Sequence, residues 1–572
     1  MKYPSYRSHR LVILVVATTG EGDATDNAKK FNKFITSKAT PMDVFQNLKY
    51  AVFGLGDLNY INFNQMGKRT EINMDRLGAT KVYPRGIGDA SQDIEADLRR
   101  WIDGGLIDAI KESLPSLPRT GSKPVVVLHG VPDLLEMVHV TDPTSLRPSS
   151  PSLPEGVTHG RDTLSKVFWT LQSGTVVANT ELRPQSSQTE STRKISLNID
   201  SKYTACDSIE ILPRNSPEAV EEIAELLQIP NLDQMIDFNA PCSRSHKLPF
   251  PTPCTIREAL TQYVDLSCAP SRTFISNWAV LVRSTDPELE DALHAIADSP
   301  NIMRLVSKGE HLRVNFSTFF KIIRFFFPST TISLGHYLQI AQKQRVRPYT
   351  GASQDSETRV DLIVALTADR IENPQIGLDQ LIAEMVAENI VNLDKSVSAI
   401  SQTQIDGLCS RFLCGIHPGS KILYRVRESV LRPPAQIDSV LAICTGAGIA
   451  AGMAYIDHIT SIPGGWSKVR NFNLVFGCRK KDTDYLLADL HPSVRLHTAF
   501  SRESKRYVQD IIREEADIHK LLANLSNKSR IVICGNTAMC RGVCEVIANQ
   551  IGGRAQLEKL EKDGIVVVEY FG

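Results

Sequence analysis

The chain has 572 residues, with 64 bases against 64 acids, 42% apolar and 22% charged residues; this is too long for one hydrophobic core and describes a multidomain globular protein. The balanced charge leaves no basic excess to hold a phosphate backbone, so nucleic acid is not an expected partner. The longest apolar runs, LVILVVA at 11–17 and FFKIIRFFF at 319–327, fall short of the about 18–20 residues that span a bilayer, so no membrane anchor is expected.

Eleven sparse cysteines fit a reducing compartment, and a cytoplasmic location is expected. Cys540 and Cys544 share a helix face by spacing, but no second His or Cys pair stands near them, so the reading is buried thiols and no metal. The opening MKYPSYRSHR before an apolar run has the outline of a targeting segment. That run, however, is β-branched and leads into a Gly-rich turn, which favours a strand.

In chain order, residues 1–115 alternate β-rich runs (LVILVVA, YAVFGLG, TKVYPRGIG) with helical stretches (NAKKFNKFIT and 90–114), the rhythm of a parallel α/β sheet. Residues 116–163 are rich in Pro, Ser and Gly and read as a linker. Over 164–430, short β segments at 167–182 and 193–200, a mostly helical stretch from about 216 to 345, and returning strands at 360–371 and 421–429 predict a β-barrel with a helical insertion. Residues 431–572 alternate again through VLAICTGAGIA, NFNLVFGCRK, SRIVICGN and GIVVVEYFG, predicting a second parallel sheet.

Three segments carry candidate chemistry. In ICTGAGIAAGMA a β run meets Gly446, Ala447 and Gly448 and then a helix; such a turn lets backbone N–H groups approach a diphosphate, and it equally suits a tight packed turn. AFSRESKRYVQ at 499–509 gathers Ser501, Arg502, Lys505 and Tyr507, with Arg479 in VFGCRKK upstream. Hydroxyl, guanidinium, ammonium and ring are what a phosphorylated adenosine needs, and a solvated basic loop is the plain alternative. RPYTGAS places Arg347, Tyr349 and Thr350 together, and GLCS places Gly407, Leu408, Cys409 and Ser410 at a turn. These suit a flavin: a cation and N–H groups for the diphosphate, a ring against the isoalloxazine and a hydroxyl near N5.

Taken in order, RPYTGAS, GLCS, GAGIA, FGCR, DYL, AFSRE and YVQ, with ILPRNSPE at 211–218 and PFPTPCTIREAL at 249–260, make the chain resemble the diflavin reductase family from Leu11 to Gly572. The resemblance implies a multidomain α/β and β architecture. Its parts would be a partial flavodoxin-like parallel α/β domain, an FAD-binding β-barrel with a helical insertion, and a ferredoxin-NADP-reductase-like NADPH-binding α/β domain. It implies FAD contacts from Arg347, Tyr349, Thr350 and Gly407–Ser410, and NADPH contacts from Gly446, Ala447, Gly448, Arg479, Ser501, Arg502, Lys505, Tyr507 and Cys534. Thr350, Cys534, Glu569 and Phe571 take the places of the hydride-transfer residues: a hydroxyl near flavin N5, a thiol beside the nicotinamide, an acid of the proton network and a ring over the flavin.

The chain departs from the family pattern at Ala447, Ala451 and Cys444 in the nucleotide loop and at Thr180, where an arginine is expected; the Lys505 loop is two residues shorter. VVATTGEGDATDN resembles the second flavin loop of the FMN domain and GLGDLNYINFN the third, bringing Thr18, Thr19, Gly20, Gly22, Tyr60, Asn64 and Asp89 toward an FMN. The first strands and phosphate loop of that domain have no counterpart here, and Thr19 stands where the family has a stacking Tyr, so FMN binding is expected to be weak. The expected function is hydride transfer from NADPH to FAD, with electrons passed to an external acceptor such as a haem or iron–sulfur protein. A catalytically degenerate scaffold is the alternative from another class.

Overall fold

The structure, a computed structural model, describes residues 11–19, 22–25, 27–56, 62–89, 94–114, 136–140, 167–186, 190–239, 249–283, 285–308, 312–370, 374–392, 404–487 and 490–571. The chain divides into two compact units, Met1–Leu128 and His129–Gly572.

In the first unit, β1 (Leu11–Thr19), β2 (Asp23–Ala24), β3 (Lys49–Gly56), β4 (Thr80–Lys81) and β5 (Gly86–Asp89) form one sheet. β1 lies parallel to β3, from Leu11 opposite Lys49 to Ala17 opposite Leu55, while β2 pairs antiparallel with β1 only at Thr18 and Thr19. β4 and β5 both run parallel to β3, one at its start and one at its end. Period-two alternation sends Tyr50 and Val52 into a core with Ile35, Phe45, Met66 and Leu77, and sends Ala51 and Phe53 to the opposite face against Trp101 and Leu106. Gly86 is required there: a Cβ would lie 2.3 Å from the Phe53 ring and 2.7 Å from Trp101.

The second unit continues with β6 (Glu136–Val140), β7 (Gln172–Glu181), β8 (Thr192–Asn198), β9 (Ser208–Leu212), β10 (Met235–Asn239) and β11 (Cys254–Thr255), then β12 (Arg347–Thr350), β13 (Arg359–Ala365), β14 (Ala368–Arg370), β15 (Gln404–Asp406) and β16 (Lys421–Arg427). Six of them form an antiparallel sheet in the order β12-β9-β16-β7-β8-β13. It closes on itself through the Gly351–Leu362 bridge and the 2.7 Å bond from the Ala352 N–H to the Asp361 carbonyl. The interior is filled by Ile195, Leu197, Ile209, Ile211, Leu362 and Tyr424.

Helices between β9 and β12 build the expected insertion, and their starts are legible in the sequence: Ser216, Ser271, Asp286 and Asn315 each accept a backbone N–H of the first turn that follows. Their shared core centres on Trp278, stacked on Phe320 at 5.6 Å. The insertion also contains β10 and β11, and five residues of the stretch read as linker form β6, which pairs with β10 from Met235 opposite Val140. A β-rich run, EMVHV, found an edge to complete; the flanking Pro and Ser had masked it as loop.

Last come β17 (Ser439–Thr445), β18 (Asn471–Cys478), β19 (Val494–Phe500), β20 (Ser529–Asn536) and β21 (Val566–Phe571), all parallel in the order β19-β18-β17-β20-β21. After β17 the chain builds outward through β18 and β19, then returns to the other side as β20. The carboxyl ends of β17 and β20 therefore flank a topological switch point, where open α/β sheets hold ligands.

Candidate functional site

A cavity of about 580 Å³ opens at that switch point, within the size range of small-molecule sites. From the parallel sheet it is lined by Thr445, Gly446, Ala447, Arg479, Ser501, Arg506, Tyr507 and Phe571, and from the barrel by Arg183, Ser191 and Thr192. Gly446 has φ +52, and a Cβ there would meet nothing within 4 Å, so the backbone borders open space. Gly448 does the opposite job: a Cβ would lie 2.3 Å from the Cys534 carbonyl oxygen and 2.9 Å from the Phe571 ring. Its missing side chain lets the Gly446–Gly448 turn, β20 and the Phe571 ring come together.

Four residues expected to serve hydride transfer come from three distant parts of the chain. Thr350, at the end of β12, donates its hydroxyl to the Glu569 carboxylate on β21. Cys534 on β20 is the register partner of Glu569 and of Cys444, and is 1% exposed. Burial pushes the Glu569 carboxyl above the ordinary carboxyl range, against the Thr350 hydrogen bond and the Arg427 charge that draw it down. Burial likewise pushes the Cys534 thiol well up, with the Glu569 charge adding to it, so the thiol stays neutral. Phe571, 40% exposed, lines the cavity.

The residues expected to meet a flavin lie on β12 and at the start of the helix Leu408–Gly415. Arg347 lies 3.9 Å from the buried Asp265 carboxylate and keeps its guanidinium 38% exposed. Tyr349 packs against the barrel core, and burial raises its phenol. Gly407 precedes the helix Leu408–Gly415; a Cβ on it would lie 2.8 Å from Ser410 Oγ and 2.9 Å from Thr367 Cβ, so only glycine lets the turn close. Ser410 Oγ accepts the Thr367 N–H at 3.1 Å and donates to the Gly407 carbonyl at 3.0 Å, holding the first-turn N–H groups in place. Beside Thr350, its cross-strand neighbour Ser208 is 3% exposed and its hydroxyl has no protein partner. A buried orphan hydroxyl is costly unless another group meets it, and it adjoins the position where a flavin fits this donor set.

Of the expected nucleotide contacts, Gly446, Ala447, Arg479, Ser501 and Tyr507 line the cavity, while Gly448 and Cys534 are buried behind it and Arg502 and Lys505 lie outside it. Both of the latter are exposed, whereas Arg506 lines the cavity. Lys505 adopts φ 52, a left-handed turn that redirects the chain, so the following side chain faces inward. Arg506 is held by Glu514 at 2.7 Å. Arg183 was also missed: its side chain is 6% exposed, it donates to the Thr483 carbonyl at 3.0 Å, and it pairs with Asp484. It lies three positions after Thr180, just past the end of β7, and only that offset from the expected arginine pointed to it.

In the first unit, Gly20 and Tyr60 fall outside the described residues. Thr18 Oγ1 accepts the Met66 N–H at 3.1 Å, Gly22 has φ +92 and Thr19 is exposed. Asn64, 3% exposed at φ 57, donates to the Gly54 carbonyl at 2.6 Å and accepts from Arg85 at 2.9 Å. Its amide is thus committed inside the unit rather than turned outward. Asp89, at the end of β5, is 9% exposed, and its N–H donates to Asp97 at 2.8 Å.

A family model described as flavodoxin matches residues 4–101, and one described as an FAD binding domain matches residues 174–376. The chain is 24% identical over 563 residues to NADPH-dependent diflavin oxidoreductase 1 of Debaryomyces hansenii, covering 93% of this chain and 85% of that protein. It is 27% identical over 619 residues to the protein of the same name from Danio rerio, covering 97% and 90%. Against NADPH–cytochrome P450 reductase of Rattus norvegicus it is 26% identical over 554 residues, covering 92% and 74%.

Proposed function

Because this chain belongs to the diflavin reductase family, we propose that it is an NADPH-dependent flavin oxidoreductase whose second unit moves a hydride from NADPH to FAD and whose electrons then leave to an external acceptor. The observation that carries this reading is the convergence of Thr350, Glu569 and Cys534, from three strands, beside a cavity lined by Gly446, Arg479, Ser501 and Tyr507.

NADPH supplies the hydride and FAD receives it. Arg347 and the first-turn N–H groups of the Leu408–Gly415 helix would hold the flavin diphosphate, and Tyr349 would offer its ring to the flavin. The Gly446 turn approaches the nucleotide diphosphate, with Arg479, Ser501 and Arg506 for its phosphates and Tyr507 for the adenine. Thr350 fixes the Glu569 carboxyl by its hydroxyl, so that an acid whose proton affinity burial has raised would stand where positive charge develops on the nicotinamide. The neutral Cys534 thiol packs beside it and excludes water. Phe571, at the cavity wall, would shield the flavin face from solvent.

The acceptor belongs, in this reading, to the class of one-electron protein centres, haem or iron–sulfur; the names of the relatives support it, since one group is called cytochrome P450 reductases. Among the described residues no helix is long and apolar enough to cross a membrane. The test is direct: purified full-length protein should carry FAD and reduce ferricyanide with NADPH. Colourless protein that oxidises no NADPH would overturn the reading and favour a scaffold.

A further inference from the structure

Where the barrel meets the parallel sheet, two arginines and two carboxylates form a network at the cavity wall. Arg479 donates to Asp484 at 2.9 Å and to Glu190 at 2.8 Å; Arg183 pairs with Asp484 and reaches Glu190 at 3.5 Å. Both arginines line the cavity. The two carboxylates differ in how firmly they are held. Asp484 is 12% exposed and also accepts the Lys480 N–H and the Thr483 hydroxyl, each at 3.1 Å, so it is built into the wall. Glu190 is 47% exposed and stands immediately before Ser191 and Thr192, which face the cavity.

We propose that Glu190 is a built-in anionic competitor for the nucleotide: its carboxylate occupies the Arg479–Arg183 pair in place of a phosphate, and the incoming phosphate of the dinucleotide displaces it. This rests on the reading of the cavity as an NADPH site. A guanidinium pair accepts carboxylate and phosphate with the same fork geometry, and a phosphate carries more charge, so the exchange favours the ligand. The displaced side chain returns to solvent at little cost, because it is already half exposed. Asp484 stays and keeps both guanidinium groups aimed inward. Glu190 thereby weakens binding of every ligand whose phosphate reaches this pair, and leaves others untouched.

Adenosine 2′,5′-bisphosphate and ADP separate the two phosphates that fit, the 2′-phosphate and the diphosphate. Calorimetric titration of the full chain with each should show Glu190→Gln tightening the bisphosphate by about two- to fivefold, the range for removing one half-exposed ion pair. Tightening confined to the bisphosphate places the 2′-phosphate at the arginine pair; tightening of both nucleotides places the diphosphate there. Glu190→Ala, with a thermal melt confirming its fold, must give the same direction. Unchanged or weaker binding of both nucleotides by both variants overturns the proposal. Wild-type protein that binds neither nucleotide overturns the NADPH reading instead.

Discussion

β1 and β17 are both apolar parallel strands that lead into glycine-bearing loops, yet they live in different surroundings. In β17, Val440 to Cys444 are all 0% exposed, because the strand is flanked by β18 and β20 and covered on both faces. In β1, the equally apolar Ile13 and Val15 are 47% and 54% exposed, and the strand pairs with β3 along its length but with β2 at only two positions. Composition alone does not bury a strand; neighbours do. In the first unit Asn64, expected to meet a second flavin, is spent on internal contacts with Gly54 and Arg85.

Substitutions sharpen the contrast, beginning with the strongest. Ile443→Ala in β17 should cost about 2–5 kcal/mol by opening a cavity in a closed core, read as a lowered denaturation midpoint of the second unit. Glu569→Gln should slow hydride transfer about tenfold to a hundredfold in single-turnover flavin reduction, with FAD still bound. The same variant has a pH signature. The folded Glu569 carboxyl titrates above its unfolded value, so its contribution to stability is complete at acidic pH and is lost as pH rises through the folded value. The gap between the melting temperatures of variant and wild type should therefore shift in favour of the glutamine from acidic to neutral pH; a constant gap would refute the burial argument.

Arg347→Ala should weaken FAD about tenfold, roughly 1.4 kcal/mol, measured by flavin release on dilution. Phe571→Ala should raise NADH turnover relative to NADPH severalfold, because the ring no longer shields the flavin face; unchanged preference would count against its place over the flavin. Val15→Ala in β1 should shift stability by at most about 0.5 kcal/mol, since little of that side chain leaves water on folding. A cost matching that of Ile443→Ala would show that β1 is covered after all.

Much of this architecture was legible because strands and helices of different periodicity alternate, and because glycines mark the turns at Gly448 and Gly407, where close approach requires them. What escaped was non-local. The Thr350–Glu569 hydrogen bond joins residues 219 apart in sequence, and only their resemblance-derived roles hinted that they meet. EMVHV was hidden in a Pro- and Ser-rich stretch because a five-residue edge strand carries little periodic signal. Arg506 was passed over for Lys505 because the loop offers consecutive cations, and the left-handed turn at Lys505 that chooses between them is a backbone feature. Arg183 and Glu190 come from the barrel side, so the pairing of Arg183 with Asp484 and of Glu190 with Arg479 depends on how two parts of the second unit pack.

The central claim is that the second unit holds an FAD where a bound NADPH can reduce it. Anaerobic mixing of the purified full-length protein with NADPH, followed by flavin absorbance and by assay of the released flavins, tests it most directly. The account predicts about one FAD per chain, bleached by NADPH and faster than by NADH. Protein that retains no FAD when folded in its presence, or whose bound FAD stays oxidised under NADPH, would contradict it.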